Sequence, residues 1–151
     1  MFFLTLAPLP LDPFQVLRVS VPQRLCCAPY RQERGDTKIT ARNKARLMAR
    51  AALAKKAEEV VILDMRGLTS LTDYFVISSG LSGRQTQAIS DEILDQLKQV
   101  NSPVKHVEGY QEGEWILIDG IDVIVHVFKL SARHFYDLES LWADAPKIRI
   151  K

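Results

Sequence analysis

The fold is decided by residues 114–128, which read EWILIDGIDVIVHVF. The stretch predicts two strands, EWILI and DVIVHVF, because apolar residues alternate on either side of Asp119-Gly120-Ile121. Asp119-Gly120 would form a type I′ turn, and Gly120-Ile121 would form a type II′ turn. The two registers differ by two residues, so both place the same side chains on the same face of the hairpin.

The two faces of this hairpin differ in chemistry. The first, the aliphatic face, must be buried; it carries Ile116, Ile118, Val123, Val125 and Val127. The second, the mixed face, carries Trp115, Leu117, Asp122, Ile124, His126 and Phe128. A large aromatic residue beside aliphatic residues, an acid and an imidazole is typical of a protein-binding surface. A second, partly polar core face beneath another element would show the same pattern, and the sequence leaves both interpretations open.

Length and composition narrow the class of protein. The 151 residues support one compact domain with a real core. With 20 basic and 18 acidic residues, the net charge of +2 gives no strong indication of nucleic acid or an anionic membrane as partner. The adjacent Cys26 and Cys27 indicate no disulfide framework and favour a reducing compartment. No apolar run is long enough to span a bilayer, so we expect a soluble cytoplasmic protein.

Residues 1–36 differ from the rest of the chain. Their apolar residues have no period, and they contain Pro8, Pro10, Pro13, Pro22 and Pro29. We interpret this segment as a disordered extension, or as the result of a misassigned start codon. An organelle transit peptide is the alternative, although the segment is poor in serine.

The remaining pattern predicts a helix, two strands, a helix, three strands and a last helix. The helices are expected from about residue 40 to 57, from a Ser82 cap to about residue 100, and from a Ser131 cap to residue 142. In the last helix, Phe135, Leu138 and Trp142 share a stripe. Outside the hairpin, strands are expected at residues 60–65, 74–79 and 104–108. This order predicts one α/β domain with a mixed five-stranded sheet over residues 37–146, followed by a tail at 147–151.

The sequence predicts no catalytic residue, metal site or cofactor. The three histidines lie on separate elements without metal-ligand spacing. A two-metal phosphoryl-transfer site needs carboxylates at positions i and i+2 of a strand, and Asp122 has Ile124 at that position. Ser78, Ser79 and Ser82 lack both the G-x-S-x-G spacing and the lysine of a P-loop.

Four segments of the chain share motifs with a known family. They are LTDYFVISSGLSGRQTQAISDEI at 71–93, VEGYQEGEWILID at 107–119, DVIVHVF at 122–128 and FYDLESLW at 135–142. In this order they resemble the ribosomal silencing factor family, also called RsfS or Iojap, over about residues 40–146. The resemblance implies a nucleotidyltransferase-like fold without known enzymatic activity. It also implies binding to the large ribosomal subunit through ribosomal protein uL14, a steric block to joining of the small subunit, repression of translation, and a homodimer when free.

The resemblance also assigns roles to particular residues. The family's tryptophan corresponds to Trp115, the acids flanking its turn to Asp119 and Asp122, and its histidine to His126. The family's stretch before the second helix corresponds to Ser82-Gly83-Arg84 and would rim the same surface. With two residues of the mixed face, the predicted partner-binding residues are Trp115, Leu117, Asp119, Asp122, Ile124, His126, Ser82 and Arg84.

The turn departs from the family pattern, in which a large residue precedes glycine between the two acids. This chain has Gly120-Ile121, so a contact that the large residue makes would be weaker here, or would be supplied by Ile121. We expect Trp115 to lie on the side of the sheet away from the helices and to be a binding hot spot.

Two alternatives from other functional classes stay open. One is a direct ribosomal-RNA binder that uses the basic helix between Arg42 and Lys56; its phosphate contacts would weaken steeply with salt. The other is a divergent nucleotidyltransferase that uses Asp122 and Asp64.

Overall fold

The computed structural model describes residues 39–150, which form an α/β fold with a mixed, open, six-stranded sheet. In chain order its elements are α1 (Ala41–Ala54), β1 (Glu58–Asp64), β2 (Tyr74–Gly80), α2 (Gly83–Gln99), β3 (His106–Glu108), β4 (Trp115–Asp119), β5 (Val123–Lys129), α3 (Leu130–Tyr136), α4 (Leu138–Leu141) and β6 (Lys147–Ile148). The α/β class and the mixed sheet are confirmed. The segment predicted to be disordered or misassigned, residues 1–36, lies outside the described residues.

The sheet has the strand order β3-β4-β5-β2-β1-β6. β2 and β5 run parallel, and the other neighbouring strands run antiparallel. The two central strands, β2 and β5, carry large apolar side chains on both faces, so both faces of the sheet must be covered.

The sixth strand corrects the predicted count of five. Ile62 pairs with Ile148 and Leu63 with Lys147, and the Asp64 N–H donates to the Pro146 carbonyl at 2.9 Å. The sequence pattern missed β6 because two residues are too few for a period, and because Pro146 indicated an end to regular structure.

Two helices cover one face of the sheet and bury the aliphatic face of the hairpin. Small residues on α1 let this helix lie close to the strands: Ala45, Ala49 and Ala52 are fully buried. On α2 an apolar stripe faces the strands: Ile89, Ile93 and Leu97 are each fully buried. All five residues of the aliphatic face are also fully buried in this core.

The start of α2 was predicted correctly. Ser82 is the N-cap, and its hydroxyl oxygen accepts from the Gln85 N–H at 3.3 Å. The Gln85 side chain reaches back one residue further than in a capping box, because its Oε1 accepts from the Leu81 N–H at 2.8 Å. Its amide also donates to the Lys56 carbonyl at 2.9 Å, which ties α2 to the end of α1.

The last predicted helix is two short helices. Asp137 adopts a left-handed conformation with φ 37°, which ends α3, and its side chain caps α4 by accepting from the Ser140 N–H. The predicted stripe was therefore wrong: Phe135 is 81% exposed, whereas Leu138 and Trp142 pack against the sheet. Ser131 is not the N-cap; α3 begins after Lys129 without a side-chain cap.

Candidate protein-binding surface

The β4–β5 hairpin has neither of the two predicted registers. Ile118 pairs with Val125 and Asp119 with Ile124, and the Gly120 N–H donates to the Val123 carbonyl at 2.9 Å. The loop residues are therefore Ile121 and Asp122. The prediction was wrong because the positive φ falls on Ile121, at 72°, and not on glycine. The shift is an even number of residues, so the two predicted faces keep their side chains.

The mixed face is partly a core face. Phe128 and His126 are 1% and 6% exposed, respectively, and Phe128 packs with Leu63, Phe75 and Ile77 in a second core. Trp115, Leu117 and Ile124 are half-buried, and so is Asp119, which the strand pattern places on this face. Each open interpretation thus applies to part of the face: a core at Phe128 and His126, and an accessible surface beside them.

Trp115 lies beneath a helix, and the expectation of a helix-free side was wrong. The ring of Tyr136, from α3, lies 4.8 Å from the Trp115 ring, and the Phe128 ring lies 5.0 Å away (centroid to centroid). The sheet is apolar on both faces at β2 and β5, so α3 and α4 must cover this side as α1 and α2 cover the other.

His126 is held neutral by its surroundings. The Trp115 indole Nε1 donates to His126 Nδ1 at 3.2 Å, and the Phe75 ring meets the imidazole edge-on at 5.0 Å. The neutral ring therefore carries its proton on Nε2, which is buried without a partner among the described residues. Burial lowers the pKa of His126 to about 4, because a charged imidazolium would lose its hydration.

Exposed apolar side chains extend this surface in a way that sequence reasoning missed. Phe135 and Leu141 are 81% and 71% exposed, and Tyr136 is 50% exposed while touching Trp115. The sequence predicts one continuous helix over this segment, and the break at Asp137 instead leaves Phe135, Tyr136 and Leu141 exposed. A left-handed residue between two short helices does not change the apolar periodicity, so the pattern gives no sign of the break. The residue type is the one available signal, because aspartate is among the residues that tolerate the left-handed conformation.

The two turn acids lie at one end of the hairpin. Asp119 Oδ1 accepts from the Ile121 N–H at 2.8 Å, and its Oδ2 lies 3.9 Å from Lys105 Nζ. The Asp122 carbonyl accepts from Thr72 Oγ1 at 2.9 Å and from the Asp73 N–H at 3.0 Å. These bonds fix the turn against the loop that precedes β2.

Ser82 and Arg84 lie at the other end. Gly80 pairs with Lys129, whereas Asp119 pairs with Ile124, so about 17 Å of strand separates the two positions at ~3.3 Å per residue. The structure thus brings Trp115, Leu117, Ile124 and His126 together on one sheet face. Arg84 is exposed at the Trp115 end, and the Ser82 hydroxyl is engaged in capping α2.

Apart from Asp122, the residues of the two alternative functions lie outside this surface. Asp64 is bound by Arg66 through two side-chain bonds, of 2.8 and 2.6 Å, and β2 lies between its strand and Asp122. Within residues 39–150, no three histidine, cysteine or acidic side chains are grouped so as to hold a metal ion. The basic helix α1, with Arg42 and Arg50 exposed, covers the opposite face of the sheet.

In the part of the chain that the structure describes, no helix has the length and apolar character needed to cross a membrane.

Comparison with known proteins covers the whole described fold. The family model described as "Ribosomal silencing factor during starvation" matches residues 38–151. The chain belongs to the ribosomal silencing factor family. Family membership confirms the resemblance of the four sequence motifs, and it places the chain in a family named for a regulatory role on the ribosome.

Individual ribosomal silencing factors and related proteins agree with this assignment. The Bacillus subtilis ribosomal silencing factor RsfS is 46% identical over 101 residues, which are 67% of this chain and 86% of that protein. The mouse "Mitochondrial assembly of ribosomal large subunit protein 1" is 26% identical over 147 residues, 89% of this chain and 64% of that protein. A crystal structure of a Chromobacterium violaceum protein superimposes with a TM-score of 0.68 at 32% identity, covering 70% of this chain and 88% of that one.

Proposed function

We propose that this ribosomal silencing factor binds the large ribosomal subunit through ribosomal protein uL14 and sterically blocks joining of the small subunit. The bound protein thereby represses translation. The observation that carries the proposal is the accessible part of the mixed face, where Trp115, Leu117 and Ile124 are half-buried and the half-exposed Tyr136 of α3 touches Trp115. An aromatic and aliphatic centre with a polar rim is the chemistry of a protein-protein contact.

In this proposal the remaining predicted residues form the polar rim of the surface. Asp119 and Asp122 lie at the turn end, and Arg84 with Ser82 lies at the Trp115 end. His126 supports the centre from below, because its Nδ1 orients the Trp115 indole. A rigid aromatic anchor loses little conformational entropy on binding, so Trp115 is suited to be a hot spot.

Steric occlusion requires no chemistry, and we propose that the protein is not an enzyme and uses no cofactor. The same apolar surface would be covered in a homodimer of the free protein, which the large subunit would then displace. A contact between α1 and nearby ribosomal RNA would be secondary to the protein contact. We place this function in the cytoplasm, with no membrane involved.

Co-sedimentation with large ribosomal subunits, and pull-down with purified uL14, test the proposal. Leu117→Gln puts a polar amide at the centre of the surface and should weaken binding at least about tenfold, which corresponds to about 1.4 kcal/mol. Ala88→Gln is the matched control, because Ala88 is exposed on α2 across the sheet. Ala88→Gln should bind like the unmodified protein, and it should block joining of the small subunit to the same extent.

A loss of binding by Leu117→Gln counts only if this variant is folded as well as the control. The thermal midpoints of both variants are therefore compared first. Binding by an apolar protein contact should change little between low and moderate salt. A steep loss of binding with salt, unaffected by Leu117→Gln, would favour the RNA-binding alternative on α1. Full-strength binding of Leu117→Gln to uL14 would refute the proposed surface.

A further inference from the structure

Lys44 is a buried cation on the side of the sheet opposite the mixed face. It lies in α1 and is 3% exposed. Its Nζ donates to the Gly120 carbonyl at 2.5 Å, across 76 positions of sequence. Lysine is almost never buried to this extent without a specific partner. The partner of Lys44 is the hairpin turn, which lies far away in the sequence.

The Gly120 carbonyl that accepts from Lys44 also closes an unusual turn. The Asp122 N–H also donates to the Gly120 carbonyl, at 2.9 Å. With Ile121 at φ 72°, this bond defines a γ-turn of the rarer, positive-φ kind. A β-branched residue avoids that conformation, and it persists only where the surroundings over-determine it.

The surroundings do over-determine it. Asp119 Oδ1 accepts from the Ile121 N–H at 2.8 Å, so the backbone groups of the turn are occupied from both sides. The strained residue has its side chain outside, with Ile121 44% exposed. Strain of this kind at an exposed tip is a feature of binding sites more often than of scaffolds.

Gly120 and α1 fit each other closely. A Cβ on Gly120 would lie 3.1 Å from Met48 Cε and 3.3 Å from Lys44 Cε, and 2.9 Å from the Val123 carbonyl oxygen. The contact with the Val123 backbone oxygen is the one that excludes a side chain at Gly120, and the side-chain ends of Met48 and Lys44 from α1 close the remaining space. Burial lowers the pKa of Lys44, while the carboxylates of Asp122 and Asp119 oppose that shift because they favour the charged ammonium.

We infer that Lys44 is a positioning residue for partner binding: from behind the sheet it locks the turn Gly120–Asp122 in the conformation that presents Ile121 and the two acids. This inference rests on the proposed function. It assigns to α1, on the face opposite the partner, control over one end of the binding surface. Lys44 touches no partner in this arrangement and acts only through the Gly120 carbonyl.

The test uses the full chain with Lys44→Met, Ile121→Ala and the double variant. Methionine has nearly the shape of lysine without its charge, and replacing a buried charge by an apolar group of similar volume is often neutral for folding. Amide hydrogen exchange at Asp122 reports the turn directly in the free protein, and pull-down with uL14 reports binding. Ile93→Val is the control for mild core destabilisation, since Ile93 is a fully buried residue of α2, a different helix from that of Lys44.

We expect faster exchange at Asp122 in Lys44→Met and about tenfold weaker binding. In the Ile121→Ala background, Lys44→Met should weaken binding less than about twofold, because residues that act through one element are not additive. Ile93→Val should change neither exchange at Asp122 nor binding. A merely structural role of Lys44 would give equal losses in both backgrounds.

Unchanged exchange at Asp122 would overturn the inference, because the turn would then be held without Lys44. Faster exchange with unchanged binding would overturn it as well, since a loosened turn would not matter to the partner. Failure of the unmodified chain to bind uL14 would be a different result: it would refute the proposed function, and with it the inference, whatever the exchange shows.

Discussion

His126 shows how one residue is fixed from two directions. Its backbone pairs β5 with Leu117 of β4 and with Ile77 of β2. Its side chain accepts the Trp115 indole N–H while aromatic rings exclude water. The neutral state of this imidazole is therefore a condition of the native packing beneath the candidate surface.

The free energy of unfolding should depend on pH through His126. The folded-state pKa is about 4, and an unfolded histidine titrates near ~6.5. The unfolded chain thus binds the proton first, so stability is complete above about pH 6.5 and falls as the pH drops toward 4. The full loss is about 3 kcal/mol. Urea melts across this range should show it.

The control for this prediction is His126→Phe, which keeps an aromatic ring and cannot be protonated. Acidic residues also titrate toward the lower end of this range, so the difference between the two proteins isolates the histidine. Parallel stability curves for the unmodified chain and His126→Phe would show that the imidazole is charged, or accessible, in the folded state.

At the scale of single residues, the sequence was informative where local chemistry is self-contained. The Ser82 cap needed only its own neighbours, so it was predictable. The strained conformation of Ile121 was not predictable, because it depends on Lys44, which is 77 positions away in the chain. Glycine beside isoleucine favours a turn with the positive φ on glycine, and tertiary contacts placed it on the other residue.

At the scale of elements, the segment after β5 is where prediction failed most. Seven residues of α3 and four of α4 replace one expected helix. Apolar residues at helical spacing describe both arrangements, because they do not record a change of direction at Asp137. By contrast, β1 and β2 were predicted to within a few residues, since short apolar runs between polar loops have few other interpretations.

The junction between α3 and α4 should depend on two properties of Asp137. It tolerates φ 37°, and its carboxylate accepts from Ser140. Asp137→Ala loses both properties and should lower the thermal midpoint by about 5 °C. Asp137→Asn keeps a left-handed tendency and a capping oxygen, so its midpoint should fall by less than about 2 °C. Thermal melts followed by circular dichroism measure both variants.

Equal effects of alanine and asparagine at this position would contradict the role of the cap. His134→Ala, at an exposed position of α3, controls for a nonspecific change in this region and should leave the midpoint unchanged.

At the scale of the whole molecule, the class of fold was predictable and the extent of the fold was not. Alternation of helices and apolar strands indicates an α/β arrangement regardless of exact boundaries. The last strand lies beyond a proline, and it forms because β1 offers an unpaired edge and the core accepts Ile148 and Ile150. The strand β6 is stable only when it pairs with the rest of the sheet, so the local sequence does not predict it.

Deletion of residues 147–151 should therefore lower the free energy of unfolding by about 2 kcal/mol, because it exposes apolar surface beside β1. The double variant Lys147→Ser/Arg149→Ser is the control, since both side chains are exposed, and it should be nearly neutral.

Deletion of residues 1–36 should leave the thermal midpoint and ribosome binding unchanged, because the family model begins at residue 38. Denaturant melts test the first deletion, and thermal melts with ribosome co-sedimentation test the second. A harmless loss of 147–151, or a large effect of removing 1–36, would contradict this division of the chain.

The lengths of the outer strands have a consequence for how any partner can attach. β3 has three residues and β6 has two, so neither flank of the sheet offers a long row of free backbone groups. A partner that adds its own strand, by β-augmentation, needs such a row. The short flanks also protect the protein from edge-to-edge aggregation. For the proposed function, these lengths favour recognition through side chains on the face of the sheet, where a substitution can change affinity without breaking the hydrogen bonds between strands.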